Sequence, residues 1–182
     1  MMQHEIQDTA ELNPTRLAAI VYGPDDDADA LLDDFCQALL REGVRVGGIV
    51  QRNARDEVGK KRGMDVIDLA TGHAVSICQP LGSGSMACKL DAAGLAEAAM
   101  AVHRAIATHV DLIVINKFSK QEASGSGLRS ELAEAITSGL PVLTAVPRKC
   151  IDDWRIFTGG LGTSLPASRA AIDAWWRNVS PP

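Results

Sequence analysis

The sequence predicts a three-layer α/β domain, with a largely parallel but mixed sheet between two layers of helices and a short helical tail. Three observations carry this expectation. Short apolar runs at Leu17–Tyr22, Leu112–Ile115 and 142–146 alternate with amphipathic stretches of helical period, as strands buried on both faces require. The first fifty residues read strand, helix, strand, and a right-handed crossover makes those two strands parallel. A turn cluster of Ala70, Thr71, Gly72 and His73 between MDVIDL and AVSIC interrupts the alternation and predicts one antiparallel hairpin.

Residues 1–16 read as a polar, flexible lead, and residues 17–182 as one domain, in keeping with a length of 182. LAAIVY ends at Gly23 and Pro24 and forms the first strand. Leu31, Leu32, Phe35, Ala38 and Leu39 recur at three to four residues within 30–42, with aspartates to cap the helix start and Gly43 beyond its end. RVGGIV at 45–50 is the second strand. Residues 92–108 form an Ala-rich helix with Leu95, Ala99, Val102 and Ile106 on one face, leading into LIVI. A further helix at 128–138 stops at Gly139, and Pro141 opens the next strand. Trp154, Phe157, Trp175 and Trp176, four of the seven aromatics, mark a tail of short helices packed on the sheet.

Apolar residues make up 46% and charged residues 23%, and 18 basic against 23 acidic side chains give a net charge of -5. That balance excludes a basic nucleic-acid binder. No apolar run approaches the ~18 residues of a membrane span, and the N-terminal residues lack a secretory pattern, so a cytoplasmic location is expected. Cys36, Cys78, Cys88 and Cys150 form no C-x-x-C pair, and their expected role is that of buried thiols, with no metal site. Cys36 is expected to be inert, and Cys88, beside Lys89, is the thiol placed for a lowered pKa. Oligomerisation has no support in the sequence, and the cofactor stays unassigned.

Ligands of open α/β sheets sit beyond the carboxyl ends of the strands, which makes the turn after the first strand the place to look. A phosphate loop there reads G-x-x-x-x-G-K-[ST], with lysine neutralising phosphate and the hydroxyl holding magnesium. Gly23 fills the first position, but Ala28, Asp29 and Ala30 stand where glycine, lysine and the hydroxyl residue belong. Asp25, Asp26, Asp27 and Asp29 make the loop acidic instead. The reading favoured for these aspartates is a solvated acidic cap on the following helix.

The order LAAIVYGPDDDADALLDDF, REGVRVGGIVQR, RGMDVIDLATG, LIVINKFSKQEASGSGLRSEL, LPVLTAVP and WRIFTGGLGTSL resembles the bacterial domain-of-unknown-function family 2478 over residues 17–165. That family itself looks like a degenerate branch of the small P-loop nucleoside triphosphatases. The resemblance implies a P-loop NTPase-like αβα fold and, because such members are often encoded beside molybdate transport genes, a link to molybdenum utilisation. In the related triphosphatases the strand matching Leu112–Ile115 ends in Asp-Glu, whereas Asn116 and Lys117 stand here. Ser119 occupies a position where the family pattern has glycine. Ser119 also replaces the aspartate of the guanine-reading N-K-x-D, which removes that reading.

Two loops offer donors for an anion. Gly82, Ser83, Gly84, Ser85, Cys88 and Asp91 precede the 92–108 helix, and Asn116, Lys117, Lys120, Glu122, Ser124, Gly125, Ser126, Gly127 and Arg129 follow LIVI. Convergent N–H groups, hydroxyls and cations suit a tetrahedral oxyanion such as molybdate, sulfate or phosphate. Asp91 and Glu122 would serve acid and base work only if the two loops meet. The function expected is non-hydrolytic binding or regulation through a small anionic ligand. One alternative is a nucleoside triphosphatase, or another nucleotide-binding enzyme, with a relocated cation. Another is a protein-interaction module, which exposed tail tryptophans would favour.

Overall fold

The computed structural model describes residues 13–55, 57–80 and 88–182, and of residues 54–55, 61–62, 79–80 and 88–90 the backbone alone. Eight strands form one sheet in the order β5-β4-β3-β2-β6-β7-β1-β8. They are β1 (Leu17–Tyr22), β2 (Val46–Arg55), β3 (Lys61–Asp68), β4 (Ala74–Pro80), β5 (Cys88–Leu90), β6 (Leu112–Ile115), β7 (Val142–Pro147) and β8 (Thr163–Pro166). β2, β6, β7, β1 and β8 run parallel, and β3, β4 and β5 extend the sheet antiparallel from β2. The helices are α1 (Ala28–Arg41), α2 (Ala92–Ala107), α3 (Lys120–Ala123), α4 (Arg129–Thr137), α5 (Ile151–Thr158) and α6 (Arg169–Val179).

Two cores lie on opposite faces of the sheet. In β6, Ile113 and Ile115 point to one face while Leu112 and Val114 point to the other, which is why this strand is apolar at every position. Val102 of α2, Leu132 of α4 and Trp154 of α5 cover the first face. Leu32 and Phe35 of α1, with Ile172, Trp175 and Trp176 of α6, cover the second. Asp27 starts α1 by accepting the Ala30 N–H at 3.0 Å. Gly48 has φ +98°, and a Cβ there would collide with the Val114 carbonyl, so only glycine lets β2 sit against β6.

The structure departs from the sequence reading at several points. β2 runs five residues past the apolar pattern and β3 starts three residues before it, forming a ribbon with polar positions that reaches past β6. β8 lies within the tail expected to be helical. Only Leu165 of its four residues is buried, so no periodicity announces it, and pairing with β1 creates it. All three tail tryptophans are buried, as expected for a tail packed on the sheet, which takes away the feature that exposed tryptophans would have lent to an interaction module. Cys36 and Cys150 are buried thiols as expected, but Cys78 is disulfide-bonded.

Pro14–Arg16 form a short 3-10 turn at the end of the expected lead, and Trp175 Nε1 donates to the Thr15 carbonyl at 2.9 Å. Residues 1–12 lie outside the described residues. Among the described residues, no helix is long and apolar enough to cross a membrane.

Candidate functional site

β1 leads into α1 on one face of the sheet, while its neighbour β7 leads into α5 on the other, so the chain parts at their carboxyl ends. A cavity of about 750 Å³ opens there. Its floor and one wall come from Ile49 and Gln51 of β2, Met64 and Val66 of β3, Ile77 of β4, and Leu95 and Ala98 of α2. The other wall comes from the three loops after β1, β6 and β7, through Tyr22, Gly23, Asn116, Lys117, Ser119, Lys120, Arg148 and Lys149.

Beside the cavity, the charges of a phosphate loop are exchanged. Asp29, in the first turn of α1, forms an ion pair with Lys117 at 3.2 Å, with side-chain exposures of 13% and 19%. Asn116 Nδ2 donates to the same carboxylate at 2.9 Å, and Gln51 Nε2 reaches it at 3.4 Å. Lys117 also lies 5.5 Å from the centre of the Tyr22 ring. Burial raises the Tyr22 phenol above its ordinary pKa, and the neighbouring ammonium opposes that shift.

The loop after β1 turns its amides inward. Gly23 N–H donates to Asp26 Oδ2 at 2.8 Å, and Ala30 N–H is taken by Asp27. Donors that a phosphate loop would turn toward its ligand are thus satisfied by the loop's own carboxylates. Asp25, Asp26, Asp27 and Asp29 line a neighbouring cleft of about 320 Å³ that shares Tyr22, Pro24 and Lys117 with the cavity. Among the described residues, no group of three or more His, Cys, Asp and Glu side chains is placed to hold a metal ion.

The loop after β6 is organised by Glu122. This buried carboxylate accepts the Ser119 N–H at 3.0 Å through Oε2 and the Leu128 N–H at 3.1 Å through Oε1. Gly127, at φ +61°, lies so close to Oε1 that a side chain would collide with it. Glu122→Gln leaves one of the two amides facing an NH₂ group. The expected cost is about 1–3 kcal/mol in urea unfolding, the range for stranding a buried donor.

The structure distributes the residues expected for anion binding among several roles. Asn116, Lys117, Lys120, Glu122 and Gly127 reach the cavity wall. Ser124 and Ser126 donate their hydroxyls to the Gln121 carbonyl, and with Gly125 they stand outside the wall. Arg129 donates to the Glu122 carbonyl at 2.8 Å and packs 4.6 Å from the Phe157 ring centre, so it braces the loop. Asp91 caps α2 by accepting from Ala93 N and Gly94 N, and it does not meet Glu122 in the cavity. Gly82, Ser83, Gly84 and Ser85 lie outside the described residues, and Cys88 is placed in β5 by its backbone alone.

Arg148, Lys149, Gln51 and Tyr22 were not among the residues singled out from the sequence. The signal for the first two was present, since Arg148 and Lys149 directly follow the β7 strand at the sheet edge where ligands bind. Lys120, Arg148 and Lys149 make no ion pair among the described residues, and Arg148 lies over Gly23. Burial pushes the Cys36 thiol up, in keeping with the inert role expected for it.

Sheet order, crossovers and the crevice at the carboxyl ends define a P-loop NTPase-like three-layer fold. The solution structure of a human cancer-related nucleoside triphosphatase aligns with a TM-score of 0.58 over 81% of this chain and 87% of that one, at 14% identity. The chain belongs to the family described as Protein of unknown function (DUF2478), whose pattern it matches over residues 17–175. It is 65% identical over 173 residues to the molybdenum import ATP-binding protein ModC 2 of Bradyrhizobium diazoefficiens. That alignment covers 95% of this chain and 19% of the relative, so the chain spans about a fifth of that protein's length.

Proposed function

We propose that this domain binds a small anionic ligand without hydrolysing nucleotide and serves a regulatory part in molybdenum use, with a tetrahedral oxyanion as the anion it recognises. The observation that carries this reading is the Asp29–Lys117 pair. A nucleoside triphosphatase needs lysine against phosphate and a carboxylate against magnesium. Here the carboxylate sits at the helix start and the ammonium at the end of β6, each neutralising the other. The loop amides held by Asp26 and Asp27 support the same reading. Lys120, Arg148 and Lys149, which line the cavity without an ion pair among the described residues, supply the positive charge an oxyanion needs. The name of the 65% identical relative supports the link to molybdenum.

Thermal unfolding in the presence of molybdate, tungstate, sulfate, phosphate, Mg-ATP or Mg-GTP tests this. A ligand at 100 times its Kd adds about 2.7 kcal/mol. For a chain of this size that raises Tm by roughly 5–11 °C. The expected result is a rise with molybdate and tungstate that disappears in Lys120→Ala/Arg148→Ala, and no rise with either nucleotide. A rise with Mg-nucleotide accompanied by phosphate release would overturn the reading in favour of a hydrolase.

A further inference from the structure

We infer that the cavity also takes an organic anion with an apolar or aromatic body and an N–H or O–H donor near its acid group, the acid group seated at the cationic end where the proposed oxyanion binds. This rests on the proposal above only in reading the crevice as a ligand site, and it names what fills that site. Size is the first argument. A tetrahedral oxyanion is only a few times the volume of a water molecule, whose share of the liquid is roughly 30 Å³. The cavity holds about 750 Å³. Cavities of roughly 300–1,000 Å³ are those that bury organic ligands of several rings.

The cavity also has two chemically distinct ends. Over β2, β3 and β4 it is lined by Ile49, Val66 and Ile77, with Leu95 of α2 facing them. Among the described residues lining that end none is charged, so water there is held poorly and an apolar body replaces it favourably. Beyond β6 and β7 the wall carries Lys120, Arg148 and Lys149, in a chain whose net charge is -5. Concentrating positive charge at one end of an apolar slot orients an amphiphilic anion in a single direction.

Asn116 supplies the third argument, independent of the other two. This side chain is 3% exposed and lines the cavity, and its Oδ1 has no hydrogen-bond partner. Its orientation is fixed, because turning the amide over would set Oδ1 against the Asp29 carboxylate that Nδ2 now meets. A buried acceptor without a donor is costly and uncommon. An N–H or O–H on a ligand beside Asn116 satisfies it once the side chain shifts to meet that donor.

The probe is 8-anilinonaphthalene-1-sulfonate, which combines an aromatic body, an N–H and an acid group and fluoresces when its body leaves water. Two relatives dissect it: the N-methylated form lacks the donor, and N-phenyl-1-naphthylamine lacks the acid. Saturable binding of one sulfonate dye per chain is expected. The N-methylated form should bind about tenfold more weakly, the loss expected for one hydrogen bond. Lys120→Ala/Arg148→Ala should weaken the sulfonate dye about tenfold or more and leave the neutral amine within about twofold, the contrast a rim charge produces. Leu95→Trp, which fills the apolar end, should abolish binding of all three while Tm confirms that the variant is folded. Equal affinity for the three probes, or binding untouched by Leu95→Trp, overturns the inference. A molybdate-induced rise in Tm with no dye binding overturns it and leaves the oxyanion proposal standing. Dye binding of the expected pattern, with no rise from any oxyanion, does the reverse.

Discussion

Asp29→Lys is expected to destabilise the domain by about 3–5 kcal/mol, because it sets two ammonium groups together where the wild type has a partly buried ion pair. At 2–4 °C per kcal/mol for a chain of this length, Tm should fall by roughly 6–20 °C. The substitution restores the lysine of a phosphate loop, yet nucleotide binding is not expected to return, since Gly23 and Ala30 still give their amides to Asp26 and Asp27. Adding Lys117→Asp recreates the pair in reverse and should recover more than half of the loss. Full recovery is not expected, because a lysine in the first turn of α1 opposes the helix dipole by about 0.3–1 kcal/mol. Thermal unfolding of the two single variants and the double variant gives the coupling directly. Asp29→Lys with unchanged Tm would show that the pair carries no such role, and gain of Mg-ATP binding would show that charge alone had silenced the loop.

Phe118→Ala should cost about 3–5 kcal/mol, the range for removing a large buried aromatic side chain. Phe118 is fully buried, 5.1 Å edge-on from Trp154 and 5.3 Å stacked on Phe157 by ring centres. Its neighbours Lys117 and Ser119 stand in the cavity wall, so the ring anchors the turn that carries them. The three rings join the loop after β6 to α5. The expected readout is a lower urea midpoint with an unchanged slope, the sign of lost stability without a change in the unfolded chain. A loss below about 1.5 kcal/mol would mean that Trp154 and Phe157 close over the space, as a site able to collapse does.

The strands of the sheet centre were legible because burial on both faces demands unbroken apolar runs, and LAAIVY, LIVI and the run from Val142 have them. The hairpin between β3 and β4 was legible from its turn residues. β8 was not, since a four-residue edge strand with one buried side chain carries no period. At the site, the acidic replacement in the first loop and the Asn116–Lys117 pair could be read residue by residue. Their meeting could not, because 88 positions separate Lys117 from Asp29.

The serines after β6 show the same limit from the other side. Ser124 and Ser126 beside glycines read equally as anion donors or as turn residues, and only their bonds to Gln121 decide between the two. Arg129 and Glu122 likewise carry full charges in the sequence, yet one braces Phe157 and the other holds two backbone amides. By itself, the sequence determined the layers of the fold and the loss of phosphate-loop residues, because periodicity and residue type are local properties. Tertiary structure alone decided which cations line the cavity, which carboxylate meets which ammonium, and how large a cavity lies between them. Those are distances between residues far apart in the chain, and the packing of helices on a finished sheet sets them.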